Sequence, residues 1–364
     1  MSVIIYRILV VLTYVLAIVT LLPLWRHNAW WVRGFDFPRL QFMAFSFFML
    51  VAEAIFLDFS RYSTWVMMGI ALGCFCFHVG WILPYTTFYP VEVKPARSRR
   101  PNNLIRIMTA NVLMPNRNYK GLLELVKQHQ PDVLVTLETD LWWEGKLSVL
   151  ENEYRHTLKC PLDNKYGMHV YSRLPLEDAA IQFLVEPHVP SMHALVVLRS
   201  GVKVRAHFLH PAPPSPTENP DSSERDAELL VVAKSVSDKN DPIIVSGDLN
   251  DVAWSETTRL FRKISGLLDP RIGRGMYNTF HAGFWFARWP LDHLFHSEHF
   301  TLSHISRLPY FGSDHFPMLV ELVYDVTHGA DQQGLEADED DLEWAESKIE
   351  EHEVEESHVH EPGK

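Results

Sequence analysis

Three long apolar runs dominate the first ninety residues of the chain. The run Ile8 to Trp25 contains no charged residue, the run Leu40 to Phe59 contains only two acidic residues, and the run Trp65 to Tyr89 contains none. Each run approaches the ~20 residues that an α-helix needs to cross a bilayer. We therefore expect residues 1–89 to form a membrane anchor with about three transmembrane helices.

Two of these runs also have another interpretation. The second run could be a buried core helix, because Glu53 and Asp58 interrupt it. The first run could be a secretory signal, but it has no basic leader beyond Arg7, it lacks a cleavage site of small residues, and further spans follow it.

The distribution of basic residues predicts the orientation of an anchor with three spans. Three spans place the loop after the first span on the same side as everything after the third. That side is richer in Lys and Arg, so the positive-inside rule predicts that the rest of the chain is cytoplasmic, in an inner or plasma membrane if the source is bacterial. The basic residues on that side are Arg26, Arg33, Arg39, Lys94, Arg97, Arg99 and Arg100, against Arg7 and Arg61 on the other side.

Residues 104–326 show alternating strand and helix patterns. Leu104 to Val112 alternates as a strand, Tyr119 to Gln130 has an apolar helical face, and Asp132 to Glu138 is an apolar strand. A mixture of strands and helices predicts an α/β or α+β body of layered sheets. The remaining predicted elements are a helix at Asp221–Lys234 and strands at Gly167–Ser172, Ala194–Arg199, Val202–Leu209, Pro242–Ser246, Leu291–Phe295 and Met318–Tyr324.

The segments on either side of this body have different compositions. Residues 90–103 are rich in proline and basic residues, which predicts a linker next to the membrane. Residues 329–364 contain 14 acidic and two basic residues and account for the whole net charge of −12. Low hydrophobicity with high charge predicts that residues 327–364 form a disordered acidic tail.

Charge and cysteine content exclude some classes of protein. The rest of the chain is electrically neutral, which argues against a body that holds long nucleic acid by charge alone. Three cysteines cannot form a disulfide framework, so packing must hold the fold together.

Polar residues follow several predicted strands at the point where each strand ends. Carboxylate and amide oxygens collected at one edge of a sheet suit Mg²⁺ or Mn²⁺ and do not suit zinc. Taken one at a time, each of these residues could simply cap a loop or form a turn. The residues in question are Asn111, Glu138, Asp248, Asn250, Asp292, Asp314 and His315.

Together, the motifs around these residues resemble the endonuclease/exonuclease/phosphatase superfamily, as a membrane-anchored bacterial-type member, over about Leu104 to Tyr324. The resemblance implies a four-layered α/β sandwich in which two mixed β-sheets are flanked by helices, here preceded by the transmembrane helices. It also implies hydrolysis of phosphoesters with Mg²⁺ or Mn²⁺. The motifs are Thr109-Ala110-Asn111, Gln130-Pro131-Asp132, Leu137-Glu138, Tyr171-Ser172-Arg173, Leu209-His210-Pro211, Ser246-Gly247-Asp248-Leu249-Asn250, Leu291-Asp292-His293 and Ser313-Asp314-His315.

The resemblance implies a role for each site residue. Glu138 would be the main metal ligand, with help from Asn111 and Asp314. The catalytic set would be His210, Asp248, Asn250, Asp292 and His315. Asp248 would orient or deprotonate the attacking water, and Asn250 would hold a phosphate oxygen. His315, held by Asp292, would contact the phosphoryl group as a base or as a stabiliser, and His210 would face the leaving group.

The sequence therefore predicts a membrane-tethered phosphoesterase that depends on a divalent metal. Its substrate could be a phospholipid, a nucleic acid or a small phosphate ester. Nuclease activity is the alternative reaction. An anchoring protein that has the fold but no catalytic activity is the alternative outside the enzymes.

Overall fold

The computed structural model describes residues 3–237 and 240–363. They divide into two compact units. The first unit contains the chain up to Tyr89 together with Pro214–Ser222. The second unit contains Pro90–Pro213 and the chain from Ser223 onward.

The first unit contains the three predicted long apolar helices. Within the described residues, three segments are long and apolar enough to cross a membrane: Val3–Leu24, Arg39–Phe56 and Tyr62–Tyr85. Their α-helical parts are α1 (Val3–Leu21), α3 (Arg39–Phe56) and α4 (Tyr62–Ile82), and the short helix α2 (Trp30–Arg33) lies between α1 and α3.

The side chains of these helices are arranged opposite to those of a water-soluble bundle. Large apolar side chains such as Phe48 and Ile55 are exposed, whereas polar ones lie inside. The Thr13 hydroxyl donates to the buried Glu53 carboxylate at 2.6 Å, and the Thr20 hydroxyl lies 3.0 Å from Nε2 of His78. An apolar exterior around paired polar groups is what a hydrocarbon solvent requires, which argues against a soluble core helix for the second run.

The second unit contains two mixed β-sheets. The first sheet has the strand order β10-β11-β1-β2-β4-β3, and the second has the order β5-β6-β7-β8-β9. Neighbouring strands are antiparallel except in the pairs β1 with β2 and β7 with β8, which are parallel. The strands are β1 (Leu104–Asn111), β2 (Val133–Leu137), β3 (His156–Cys160), β4 (Met168–Ser172), β5 (Leu176–Gln182), β6 (Ser191–Val197), β7 (Lys203–Leu209), β8 (Ile243–Asp248), β9 (Asp292–His296), β10 (Phe300–Arg307) and β11 (Met318–Tyr324).

The sheets pack face to face, and helices cover their outer faces. One apolar core lies between the sheets, where Val135 and Leu137 of β2 belong to the same cluster as Met192 and Phe208 from the other sheet. A second core lies under α5 (Tyr119–His129) and α6 (Leu141–Leu147), and a third under α7 (Ser223–Ser235) and α8 (Glu256–Ser265). This four-layered sandwich confirms the predicted fold.

The acidic end of the chain is folded, so the prediction of a disordered tail at residues 327–364 is wrong for this structure. Two helices form there, α9 (Val326–Gly329) and α10 (Glu339–Glu350). Ala345 and Ile349 of α10 are buried in the third core. Ion pairs also tie α10 to α7 and α8, with two acidic residues of α10 meeting lysines and one lysine of α10 meeting an aspartate. These ion pairs are Lys348 with Asp226, Lys234 with Glu346, and Lys263 with Asp341.

The predicted linker is also partly folded into the second unit. Val93 is buried between the sheets, and the Glu92 carboxylate pairs with the Arg262 guanidinium at 2.5 Å. The Ala96 amide donates to the carbonyl of Leu302 in β10 at 2.8 Å. The first half of residues 90–103 is therefore part of the fold and not a free tether.

Candidate active site

Strand pairing brings three of the predicted site residues together. Because β1 and β2 are parallel neighbours, Asn111 and Glu138 lie at the same edge of the first sheet. The Asn111 amide donates to Glu138 Oε1 at 3.0 Å and to Asp248 Oδ2 at 3.2 Å. Asp248 is the last residue of β8, so Asn111 joins corresponding edges of the two sheets.

Glu138 is held in an unusual backbone conformation. Its φ angle is 60°, in the left-handed region, which costs free energy for a residue with a Cβ and is often found at functional sites. The Met114 amide donates to Glu138 Oε2 at 3.2 Å, so a backbone and a side-chain donor both face the carboxylate. Burial raises the pKa of Glu138, although these two hydrogen bonds oppose the effect.

His315 lies between two carboxylates. Its Nδ1 is 2.8 Å from Asp292 Oδ2, and its Nε2 is 3.5 Å from Asp248 Oδ2. Burial alone would lower the pKa of the imidazole, but the negative charges of Asp292 and Asp248 outweigh burial and raise the pKa to about 10. Two facing carboxylates favour an imidazolium with a proton on each nitrogen.

A serine hydroxyl fixes the loop that carries Asp314 and His315. Ser313 Oγ donates to the Asn111 carbonyl at 2.8 Å and accepts from the His315 amide at 3.0 Å. The Asp314 carbonyl accepts from the Ala282 amide at 2.6 Å. The Asp314 carboxylate also contributes to the raised pKa of Glu138, because like charges oppose ionisation.

Asn250 is positioned by contacts from three directions. Its backbone amide donates to Asp248 Oδ1 at 3.0 Å, and its side-chain amide donates to the Pro211 carbonyl at 2.9 Å. Its own carbonyl accepts from the Arg225 guanidinium at 2.9 Å. Like Glu138, Asn250 has a positive φ, of 51°.

The residue before Asp248 must be a glycine for steric reasons. A Cβ at this position would lie 1.8 Å from the Leu209 carbonyl oxygen of the neighbouring strand β7. Only glycine permits this close approach of the two strands. The end of β7, which leads to His210, is thereby held against the end of β8.

His210 follows β7 at this edge and is buried. Burial lowers the pKa of His210 to about 4, and the nearby Asp248 carboxylate only partly offsets this effect. The ring lies 5.7 Å from the Tyr166 ring, measured between centroids. A neutral imidazole is therefore expected here near pH 7.

The carboxylates at this edge fit a hard divalent cation. Among the described residues, one ligand atom from each of Asp248, Asp292 and His315 lies within 4.8 Å of the others, but an imidazolium has no lone pair for a metal, so the carboxylates supply the ligand atoms. Glu138 adjoins this group through their shared neighbour Asn111. Carboxylate oxygens predominate in this donor set, which suits Mg²⁺ or Mn²⁺ better than a thiol-preferring metal.

Sequence reasoning missed two residues that support the site. The Thr279 hydroxyl accepts from the amides of Leu291 and Asp292, each at 3.3 Å, and so fixes the start of β9. The Phe280 ring packs 4.9 Å from the His315 ring. A single threonine gives no sequence signal, and the aromatic cluster at Phe280–Trp289 predicts packing as readily as a role at the site.

Arg173, which belongs to the motif series, lies away from this edge. It pairs with Glu153, and its guanidinium lies over the Tyr154 ring at 4.6 Å. Because β4 runs antiparallel to β2, the end of β4 that carries Arg173 is opposite to the end of β2 that carries Glu138.

Comparisons with known proteins bear on the family and the fold of the chain. The family model described as the endonuclease/exonuclease/phosphatase family matches residues 108–315. No curated protein sequence matches the chain.

Three solved structures illustrate the similarity of fold. Humanised D. rerio TDP2 with 14 mutations has 18% identity and a TM-score of 0.52, over 60% of this chain and 99% of that one. D. rerio TDP2 in complex with a single strand DNA product has 17% identity and a TM-score of 0.51, over 60% and 98%. The human Nocturnin catalytic domain with a bound sulfate anion has 17% identity and a TM-score of 0.50, over 61% and 95%.

Proposed function

Because the chain belongs to the endonuclease/exonuclease/phosphatase family, we propose that it is a membrane-tethered hydrolase of phosphoester bonds that uses Mg²⁺ or Mn²⁺. Members of this family are generally metal-dependent hydrolases that act on such bonds. The observation that carries the proposal is the position of His315 between Asp292 and Asp248, next to the Asn111 and Glu138 pair.

In the proposed site, Glu138 is the main metal ligand, and Asn111 and Asp314 assist it. A bound divalent cation would neutralise the charge that develops on the phosphate oxygens. The contacts of Glu138 support this assignment, since its two hydrogen bonds aim the carboxylate but do not supply a positive charge for it.

The other side chains of the proposed site would handle the attacking water, the phosphoryl group and the leaving group. Asp248 would orient the attacking water or accept its proton, and it lies next to the proposed phosphoryl contact, since its Oδ2 is 3.5 Å from His315 Nε2. His315 donates a hydrogen bond to the phosphoryl group, and Asp292 fixes the orientation of its ring. Asn250 holds a phosphate oxygen. His210, which is neutral, faces the leaving group.

The three apolar helices support the membrane part of the proposal. An enzyme held at a bilayer meets lipid-derived phosphoesters at high local concentration, so a phospholipid headgroup is our first candidate substrate class. Nucleic acid is the second, because the similar fold of D. rerio TDP2 has been crystallised with a single strand DNA product.

We place the second unit on the cytoplasmic side, following the excess of basic residues there. Basic residues on both sides pair with acidic ones, for example Arg39 with Asp36 and Arg61 with Asp58. The rule counts lysines and arginines whether or not they are paired, and the proposed cytoplasmic side has seven against two. Reporter fusions after Pro101 test this orientation.

The test of function uses the full chain in detergent, with a panel of a phospholipid, an inositol phosphate, single-stranded DNA and a small diester. We expect Mg²⁺-dependent turnover of at least one of these. Glu138→Gln keeps the size but removes the charge, so activity should fall by about 10²-fold or more and recover in part at high metal concentration. Glu153→Gln is the matched control, because Glu153 is exposed and pairs with Arg173 away from the site.

A second variant separates metal binding from turnover. His315→Ala should abolish turnover and leave the Mg²⁺ affinity measured by calorimetry unchanged, with the exposed His188→Ala as its control. Unchanged Mg²⁺ affinity in Glu138→Gln, or near-normal turnover in His315→Ala, would refute the assigned roles. A parent protein that binds Mg²⁺ but hydrolyses nothing in the panel would favour the inactive anchoring protein.

A further inference from the structure

A loop beside the proposed site exposes three adjacent aromatic residues. Phe284, Trp285 and Phe286 are 49%, 82% and 60% exposed. They lie at the tip of the segment Phe280–Trp289, whose two ends pair as an antiparallel bridge. Exposed apolar side chains that cluster in this way usually mark a binding surface.

The loop holds this tip in a defined shape. The Arg288 guanidinium donates to the carbonyls of Phe284 and Ala282, at 2.5 and 3.2 Å. The Gly283 amide donates to Nδ1 of His281 at 3.0 Å. These bonds cross the base of the tip, so the aromatic side chains are presented to solvent by a braced loop.

The base of the loop contacts the proposed active site. The Phe280 ring packs 4.9 Å from the His315 ring, and the Ala282 amide donates to the Asp314 carbonyl. A molecule that binds the aromatic tip would therefore lie close to His315, which we propose contacts the phosphoryl group of the substrate.

We propose that this loop, which we call the aromatic loop, seats Phe284, Trp285 and Phe286 in the headgroup region of a lipid bilayer. The proposal rests on the proposed membrane anchoring, since three apolar helices would hold the whole chain at a bilayer. Trp and Phe beside Arg is the composition typical of the membrane interface.

The charge of the loop fits the same partner. Within Phe280–Trp289 there is one arginine, Arg288, and no acidic residue. A loop that is free of carboxylates is not repelled by anionic headgroups, whose surface potential attracts basic residues.

The arrangement of the nearby cations favours a bilayer over a nucleic acid strand. Single strands are bound by a row of cations that follows the backbone, with aromatic rings between them. Here the guanidiniums of Arg288 and Arg307 both lie over one ring, that of Phe316, at 5.1 and 4.4 Å. Arg307 also donates to the Asn278 carbonyl. The two charges are clustered and do not form a track.

A spin label at the tip tests the proposal directly. Cys74, Cys76 and Cys160 are replaced by alanine in the full chain, and Trp285→Cys carries the label. The protein is reconstituted into vesicles of phosphatidylcholine and phosphatidylglycerol. We expect the ratio of collisions with oxygen to collisions with a water-soluble nickel chelate to be several-fold higher at position 285 than at an exposed control position, Val149→Cys. A ratio equal to that of the control would overturn the proposal.

A second measurement distinguishes the two kinds of macromolecule. The double variant Phe284→Ser/Phe286→Ser should return the label at position 285 to an aqueous signal in vesicles and leave the affinity for a single-stranded DNA oligonucleotide unchanged. If the label is water-exposed without the two serine substitutions, and the substitutions lower the DNA affinity several-fold, the loop binds nucleic acid and not the bilayer. The label reports position and not activity, so an inactive protein with a buried label would contradict only the proposed function.

Discussion

The ion pair between Lys348 and Asp226 ties the last long helix of the chain to α7, and we expect its loss to be costly. The two charged groups are 2.7 Å apart, and their side chains are 6% and 1% exposed. Asp226 also contacts the Arg225 guanidinium at 2.8 Å, and Arg225 holds the Asn250 carbonyl. Lys348→Met keeps the apolar stem of the side chain and removes one of the two cations that face the buried Asp226 carboxylate.

The size of the effect follows from burial. Removing one partner of a buried pair costs about 3–5 kcal/mol, and we expect about 3 kcal/mol because Arg225 still faces Asp226. Pulse proteolysis of the full chain in urea measures the midpoint for the second unit. With a slope of about 3 kcal/mol per molar urea, the midpoint should fall by about 1 M.

A matched variant controls for the loss of a lysine on the same surface. Lys234 pairs with Glu346, also between α7 and α10, but there the side chains are 31% and 50% exposed. Lys234→Met should therefore cost no more than about 1 kcal/mol. If Lys348→Met shifts the midpoint no more than Lys234→Met does, α10 is not docked through this pair and our account of the tail is wrong.

Four further predictions concern the site, the core and the anchor. Burial, with Glu186 nearby, raises the pKa of Glu228 to about 8 from its ordinary 4.5. Below pH 4.5 the carboxyl is neutral in both states, but between 4.5 and 8 only the unfolded state ionises, which costs about 1.4 kcal/mol of stability per pH unit. Glu228→Gln should thus raise the urea midpoint at pH 8 but not at pH 4.5, and an equal change at both pH values would contradict this. Asp292→Asn should lower kcat by about 10²-fold by releasing the ring of His315, and near-normal kcat would count against the pairing. Thr279→Val removes the hydroxyl that accepts hydrogen bonds at the start of β9, so it should lower kcat, but by less than Asp292→Asn does. Thr279→Ser keeps the hydroxyl and should have a kcat near that of the parent. The full chain should resist alkaline carbonate extraction from membranes, and its appearance in the soluble fraction would refute the anchor.

The central strands could be predicted from the sequence, but most of the edge strands could not. β1, β2, β7 and β8 are buried and read as apolar runs that end in polar residues. The edge strands β3, β5 and β10 have at most part of their length buried, so they lack a continuous apolar pattern. Strand β9 is also at an edge, but it is fully buried and the pattern predicts it.

The grouping of the proposed site residues at one edge could be predicted because most of them follow buried strands, whereas their geometry could not. Asn111 is close to both Glu138 and Asp248, yet no spacing along the chain indicates which carboxylates an amide will join. The position of His315 between two carboxylates depends on the pairing of strands that are distant in sequence. The tail was predicted wrongly because its negative charge was considered in isolation, whereas Lys234 and Lys263 pair with two of its acidic residues and its apolar residues enter a core.

The docking of α10 bears on how this protein can be made in a cell. Translation proceeds from the N-terminal end, so α7 and α8 leave the ribosome well before α10 does. The core under α7 and α8 is completed by Ala345, Ile349, Val354 and Val359, which are synthesised after all of its other members. Until these residues emerge, this core stays open, with apolar surface available to chaperones and proteases. A chain truncated before Ala345 would therefore have a second unit with an open core, which is left for degradation.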